Sequence, residues 1–349
     1  MQDNIPIGTR KSALALAQTV QVQQALQALN PDKHFPLLKM STTGDNIQGQ
    51  PLSSIGTTAL FTRELQTALE NKECDLLVHS LKDVPTQIKP GFVIAAMLKR
   101  EEPNDVLVMR PGEFKDIRSF GKGDVIGTSS VRRASQIRRL CPGVEVKDVR
   151  GNVNTRLAKL DDPNSPYTCL LLAAAGLQRL HFDHRITTRL DSNTMLHAVG
   201  QGSIAVECRA DDKEILELVR PLDHLPTRLR CEAERSVMRI LEGGCSVPIG
   251  VWTEFIVDEG HEAAPEGTVG KLRMKALVSS LDGVQVAEAE AEAQVNGSVE
   301  KAVALGRNIA SQLLAKGADT ILAKVMRDRH LSLQPTGTND EQKIKGWEV

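Results

Sequence analysis

The strongest constraint on this chain is an alternation in which short apolar bursts of strand length are each followed by a stretch with helical spacing. The pattern starts afresh after one polar, proline-containing break. Residues 5–8 have the length and composition of a strand, and Ser12 can cap a helix that carries Ala15, Val22, Leu26 and Leu29 on one face. A helical stretch at 60–69 precedes the apolar burst 75–79, which ends in Ser80-Leu81-Lys82-Asp83-Val84-Pro85, where Pro85 stops regular structure. Helices that alternate with strands must cover the faces of a shared sheet, so the prediction is α/β with mainly parallel strands. The break is Glu101-Glu102-Pro103-Asn104-Asp105, taken as a domain boundary; new strands are expected at 125–127, 144–149 and 170–173. Two of these lead straight into helices, so loops and helix N-termini gather at the carboxyl ends of the strands, where open α/β sheets bind ligands.

After Pro226 the pattern changes to a helix at 228–241, a strand at 271–278, an Asp282-Gly283 turn and strict Val/Ala against Gln/Glu alternation to Gln294, a hairpin signature. A last helix is expected from Ser298 to the Lys316-Gly317 cap, with Ala302 or Val303, Leu305, Ile309 and Leu313 inward, followed by a polar tail after Arg329. That gives a small α+β unit, and the 349 residues suit two or three domains.

A net charge of −1 carries no general attraction to nucleic acid or membrane, so any anion site must be local. Seven Phe, two Trp and one Tyr are too few for base-stacking platforms. The longest nearly apolar run, 169–177, is about half a membrane span, and the N-terminal residues show no signal pattern, which points to the cytoplasm. Six cysteines without a close pair are expected to be reduced thiols.

Several arginines fall in expected strand-end turns: Arg10, Arg132, Arg133, Arg150, Arg156 and Arg185. Any one could be a surface salt-bridge partner, but together they suit a polyanionic ligand. Lys82 and Asp83 stand in another such turn, where a simple ion pair or turn cap is the plainer alternative. Cys245 lies in Glu242-Gly243-Gly244-Cys245-Ser246, where two glycines clear space for a covalent attachment point; a buried inert thiol is the competing explanation. Gly200-Gln201-Gly202-Ser203-Ile204-Ala205 fits the letters of a dinucleotide fingerprint but leads into a strand-like stretch. His181 and His184 lack partners for a metal site, so none is expected.

These stretches resemble the hydroxymethylbilane synthase, or porphobilinogen deaminase, family. The likeness runs from about Ile7 to about Val325 and rests on Gly8-Thr9-Arg10-Lys11-Ser12, Val78-His79-Ser80-Leu81-Lys82-Asp83-Val84-Pro85-Thr86, Gly127-Thr128-Ser129-Ser130-Val131-Arg132-Arg133, Arg150-Gly151-Asn152-Val153-Asn154-Thr155-Arg156, Ala198-Val199-Gly200-Gln201-Gly202 and Leu241-Glu242-Gly243-Gly244-Cys245. It implies two domains like type II periplasmic binding proteins plus a small C-terminal α+β domain. The implied limits are 1–102 with 203–221, 106–198 and 226–330, leaving 331–349 as the tail. The return of 203–221 to the first sheet comes from the resemblance; the linear pattern does not contain it.

The resemblance further implies a deaminating head-to-tail condensation of four porphobilinogen molecules on a dipyrromethane cofactor, held by a thioether to Cys245, followed by hydrolytic release of the linear tetrapyrrole. Asp83 would stabilise cationic intermediates, with Lys82 beside it. Arg132, Arg133, Arg150, Ser129, Ser130, Lys82 and Asp83 would hold the cofactor, and Arg10, Ser12, Arg156, Arg185, Gln201 and Gly202 the substrate. The enzyme is expected to act as a cytoplasmic monomer without nucleic-acid or membrane partners. Ser54 and Thr58 stand where relatives commonly have lysines in a loop before Phe61, and Ser203 stands where alanine is usual. Two other functions compete. A two-lobed, non-catalytic anion receptor would need the arginines but no thiol-bearing third domain. A nicotinamide enzyme would rest on residues 200–205 alone.

Overall fold

The computed structural model describes residues 3–46, 61–241, 247–257 and 269–333. The loop positions Ser54 and Thr58, Cys245 and the tail beyond residue 333 lie outside the described residues.

The chain opens with strand β1 (Ile7–Arg10), helix α1 (Ala13–Leu29), β2 (Leu37–Met40), α2 (Thr43–Asn46), α3 (Arg63–Glu70), β3 (Leu76–Ser80) and β4 (Phe92–Met97). Ser12 caps α1, its Oγ accepting from the Ala15 amide at 3.4 Å, and Ala15, Val22 and Leu26 form the buried stripe. A second series follows: β5 (Asp105–Val108), β6 (Val125–Gly127), α4 (Val131–Leu140), β7 (Glu145–Lys147), α5 (Val153–Asp161), β8 (Cys169–Ala173), α6 (Ala174–Arg179) and β9 (Thr188–Arg189). Then come β10 (Ile204–Arg209), α7 (Lys213–Val219), α8 (Leu225–Ile240), β11 (Ile249–Val257), β12 (Gly270–Ser279), β13 (Val286–Gln294), α9 (Val299–Ala315) and α10 (Ala318–Leu333).

The first two sheets have one topology, β2-β1-β3-β10-β4 and β7-β6-β8-β5-β9. In each, β10 or β5 runs antiparallel to both neighbours while the other four strands point the same way. Each reversed strand is the first one after a crossover between domains. This is the arrangement of type II periplasmic binding proteins. Apolar clusters fill both faces of the second sheet, one around Leu107, Ile126 and Leu171 and the other around Val106, Leu170 and Leu172. That explains why these strands read as continuous apolar runs.

The third domain packs α8, α9 and α10 on one face of the antiparallel sheet β11-β12-β13. The β12–β13 hairpin pairs as the alternation predicts. Several elements depart from the sequence-based expectation, which contains none of β2, β4, β9 and α7. β5 begins within the break, at Asp105. β11 was not anticipated. The helix after Ser298 is not the last, because Gly317, at φ +84°, turns the chain into α10, which buries Ala318, Ile321, Leu322 and Val325. That i, i+3, i+4, i+7 spacing is an ordinary helix signal.

The Gly200-Gln201-Gly202 segment is a crossover. Gly202 has φ +87°, and a Cβ there would stand 2.6 Å from the Glu101 carbonyl oxygen, so glycine lets the two crossovers pass. Strand β10 follows, which removes the dinucleotide alternative. No helix among the described residues is long and apolar enough to cross a membrane.

Candidate active site

A cavity of about 380 Å³ opens at the carboxyl ends of β1, β3, β6 and β8, between the first two domains, and is closed below by Met238, Val247 and Ile249 of the third. Arg10 ends β1, and its Nη1 stands 4.0 Å from Asp83 Oδ2 while its guanidinium carbon lies 4.2 Å from the Phe61 ring centre. Asp83 closes a single 3₁₀ turn, Leu81–Asp83, directly after β3. Its neighbour Lys82 also lines the cavity, and burial holds its ammonium below the usual lysine range, reinforced by Arg133 and Arg132 and opposed by Asp83.

On the facing wall, Ser130 caps α4 by accepting from the Arg133 amide at 3.5 Å, and Ser129 Oγ donates to the Val149 carbonyl at 2.7 Å. Arg156, in the first turn of α5, donates through Nε to Gly151 O at 2.7 Å. Burial, with Arg133 and Arg150 nearby, lowers its pKa to about 10.

Arg132 and Arg133 border the cavity, but both guanidinium groups are already engaged by Asp105, a residue the sequence pattern had assigned to a linker. Arg132 Nη1 lies 2.6 Å from Asp105 Oδ2, and Arg133 Nη2 and Nε lie 2.8 and 3.0 Å from Oδ1. Gln201 Nε2 donates to the same Oδ1 at 2.8 Å and to Pro103 O at 2.7 Å. Burial alone would raise the Asp105 carboxyl; the two guanidinium groups overcome it and hold it well below the usual range. One carboxylate between two cations leaves a net positive charge at the wall and fixes both arginine rotamers.

Three expected residues are not on the wall. Arg185 is bound to Asp161 at 2.7 and 2.9 Å through two nitrogens and reaches Met109 O at 3.4 Å. Gly202 serves the crossover, its carbonyl accepting from Arg179 at 2.8 Å. Arg150 also stays off the cavity, whereas the adjacent Gly151 and Asn152 line it. Arg10, Ser12, Lys82, Asp83, Ser129, Ser130, Arg132, Arg133, Arg156 and Gln201 do converge.

Sequence reasoning missed a buried set beneath the first domain's wall: His79 Nε2 lies 3.0 Å from Glu207 Oε2, and Gln66 donates to Glu207 Oε1 at 2.8 Å. The signal was available, since Glu207 interrupts an apolar strand and a buried carboxylate needs partners. It also missed the crossover clamp. Glu234 on α8 accepts two bonds from Arg100, at 2.6 and 3.0 Å, and others from the Gly200 amide and Thr253 Oγ1. Burial opposes this carboxylate's ionisation, but the Arg100 guanidinium, with the hydrogen bonds from Arg100 and Thr253, holds its pKa down to about 2.

His197, 1% exposed, is held neutral by burial, its pKa pushed down to about 3. In the unfolded chain it titrates near 6.5, so below that pH the unfolded state binds a proton that the folded state refuses. Stability is therefore complete above pH 6.5 and lost as the pH falls toward 3. Between pH 6.5 and 5 the loss from His197 should be about 2 kcal/mol. The urea midpoint should drop over this interval, and His197→Gln should flatten the drop, leaving the smaller slope due to His224, also lowered by burial. An unchanged slope in that variant would refute the assignment.

The dipyrromethane cofactor-binding domain of porphobilinogen deaminase matches residues 5–217, and the porphobilinogen deaminase C-terminal domain matches residues 228–315. The porphobilinogen deaminase of Synechococcus elongatus is 48% identical over 323 residues, covering 92% of this chain and 95% of that protein. Those of Neurospora crassa and Saccharomyces cerevisiae are 44% and 40% identical, each covering 94% of this chain and 96% and 98% of their own length. Among solved structures, a Salmonella typhimurium periplasmic binding protein of high arginine specificity overlaps with a TM-score of 0.36 at 12% identity, covering 63% of this chain and 91% of that chain. Because both domain models match in order and full-length relatives align almost end to end, the chain belongs to the porphobilinogen deaminase family.

Proposed function

We propose that this chain is a hydroxymethylbilane synthase in which Asp83 is the catalytic carboxylate and the cations around it hold the acetate and propionate groups of the growing chain. The observation that carries the assignment is the convergence of Arg10, Lys82, Arg132, Arg133 and Arg156 on one cavity that also contains Asp83. Each porphobilinogen unit brings two carboxylates, so a chain under elongation accumulates negative charge that a near-neutral surface would not retain.

The donor set fits a dipyrromethane group. Arg132, Arg133 and Arg156 would take its carboxylates, Ser129 and Ser130 would add neutral donors, and Asp83 would accept from pyrrole N–H groups. Bound through Cys245, dipyrromethane supplies the primer to which substrate is added. The apolar floor of Met238, Val247 and Ile249, two of which flank the segment containing Cys245, excludes water from that end of the cavity. When porphobilinogen loses its amine as ammonia, positive charge develops on its pyrrole ring. The Asp83 carboxylate, held by the turn after β3, stabilises that charge without having to reorganise. Arg10, with Nη1 4.0 Å from Asp83 Oδ2, helps to orient that carboxylate from the end of β1.

Mass spectrometry of the intact protein tests this directly. The expected result is a covalent adduct of two pyrrole units, with further discrete steps on adding porphobilinogen and release of ammonia. A bare polypeptide mass together with unreacted porphobilinogen would favour the anion-receptor alternative. The free, fully buried thiols Cys169, Cys208 and Cys231 support a reducing, cytoplasmic setting.

A further inference from the structure

Arg235 is among the largest fully buried side chains of the protein, at 2% exposure. Buried guanidinium groups normally face carboxylates. This one donates instead to three consecutive neutral carbonyls: Nη1 to Val84 O at 3.2 Å, and Nη2 to Pro85 O at 2.7 Å and Thr86 O at 3.3 Å. These carbonyls directly follow Asp83. The 3₁₀ turn holding Asp83 closes with the Val84 amide on Leu81 O at 3.1 Å, and beyond it Pro85 has no amide to donate. Arg235 therefore ties down a stretch of backbone that no strand or helix supports.

The residue before it, Glu234, clamps Arg100 and the Gly200 amide, one from each crossover. Two adjacent side chains of α8 thus hold the crossovers and the turn after β3. The same helix ends at Ile240, five residues before Cys245.

We propose that Arg235 is a positioning residue for Asp83, fixing the turn that carries the carboxylate to the helix that leads into the Cys245 segment. The inference rests on the assignment of Asp83 above. Displacement of a reacting group by about 1 Å can cost on the order of 100-fold in rate, so the position of this turn matters well beyond its contribution to stability.

The test compares Arg235→Met, Asp83→Asn and the double variant in the full-length protein, with adduct mass, steady-state kinetics and peptide-resolved hydrogen exchange. For Arg235→Met the adduct mass should be normal, kcat should fall at least about tenfold, and KM should stay within about threefold. Exchange in peptides covering residues 81–84 should be roughly tenfold faster, with those of α8 nearly unchanged. Added to Asp83→Asn, Arg235→Met should cause no further loss beyond about twofold, because both changes act through one group. A wild-type kcat, an equal fall in both backgrounds, or faster exchange spread over the whole molecule would overturn the proposal. If Arg235→Met does not fold, Arg235→Lys keeps the charge and stem but reaches fewer carbonyls; the same comparisons then decide, with a smaller loss expected. A wild-type rate in Asp83→Asn alone would instead remove the underlying assignment.

Discussion

Cys245→Ser should yield a folded protein that carries no covalent adduct and turns over no porphobilinogen. Sulfur attacks the electrophile formed on loss of ammonia as a thiolate, whereas a serine hydroxyl has no comparable fraction of anion near neutral pH. The other five cysteines cannot substitute. All are buried at 2% exposure or less. Burial pushes the thiols of Cys74 and Cys208 up to about 12 and raises those of Cys141, Cys169 and Cys231 as well. Changing any of these five to serine should leave the adduct mass intact, although a buried hydroxyl without a partner costs stability. Met238 and Val247, on either side of position 245 in the sequence, border the cavity. A normal adduct mass in Cys245→Ser would show that the primer is held elsewhere.

Local pattern reveals much of this fold, and the failures have a common cause. Helix α1, strand β3 and the β12–β13 hairpin follow from periodicity because each buries a face set by residues close in sequence. Strand β10 does not: it lies between β3 and β4, more than 100 residues earlier, and nothing local states that pairing. Only the family resemblance suggested it. Asp105 shows the same limit at the level of the site. Its polar neighbours read as a linker, yet Asp105 opens β5 and its role comes from two arginines 27 and 28 residues away that need a buried counter-charge. Arg185 shows the limit from the other side: a strand-end arginine is expected to meet a ligand, and in the structure two of its three guanidinium nitrogens pair with Asp161. Residue type and turn position identify candidates; which carboxylate reaches an arginine first is decided by tertiary packing.

In Asp83→Asn the shape of the side chain is retained and the charge is lost, so turnover should fall by roughly 100-fold or more while the protein stays folded. The expectation follows from what the site offers a developing cation. Arg10, Lys82, Arg132, Arg133 and Arg156 all disfavour positive charge in the cavity, and Asp105 is already engaged by two of them. Among the described residues, Asp83 is the carboxylate on the cavity wall that can offset this when the pyrrole ring becomes cationic, and an amide cannot. Ground-state binding should change far less, because the asparagine oxygen still accepts from a pyrrole N–H and the arginines still hold the carboxylates. Chains attached to Cys245 should then grow by the same mass steps, only slowly. If Asp83 served instead as a partner for Arg10, losing that partly exposed pair at 4.0 Å would cost about 0 to 1 kcal/mol of stability and leave the rate of each step intact. Single-turnover kinetics with mass detection separates the two outcomes, and a wild-type rate of chain growth in Asp83→Asn would rule out the carboxylate as the source of catalysis.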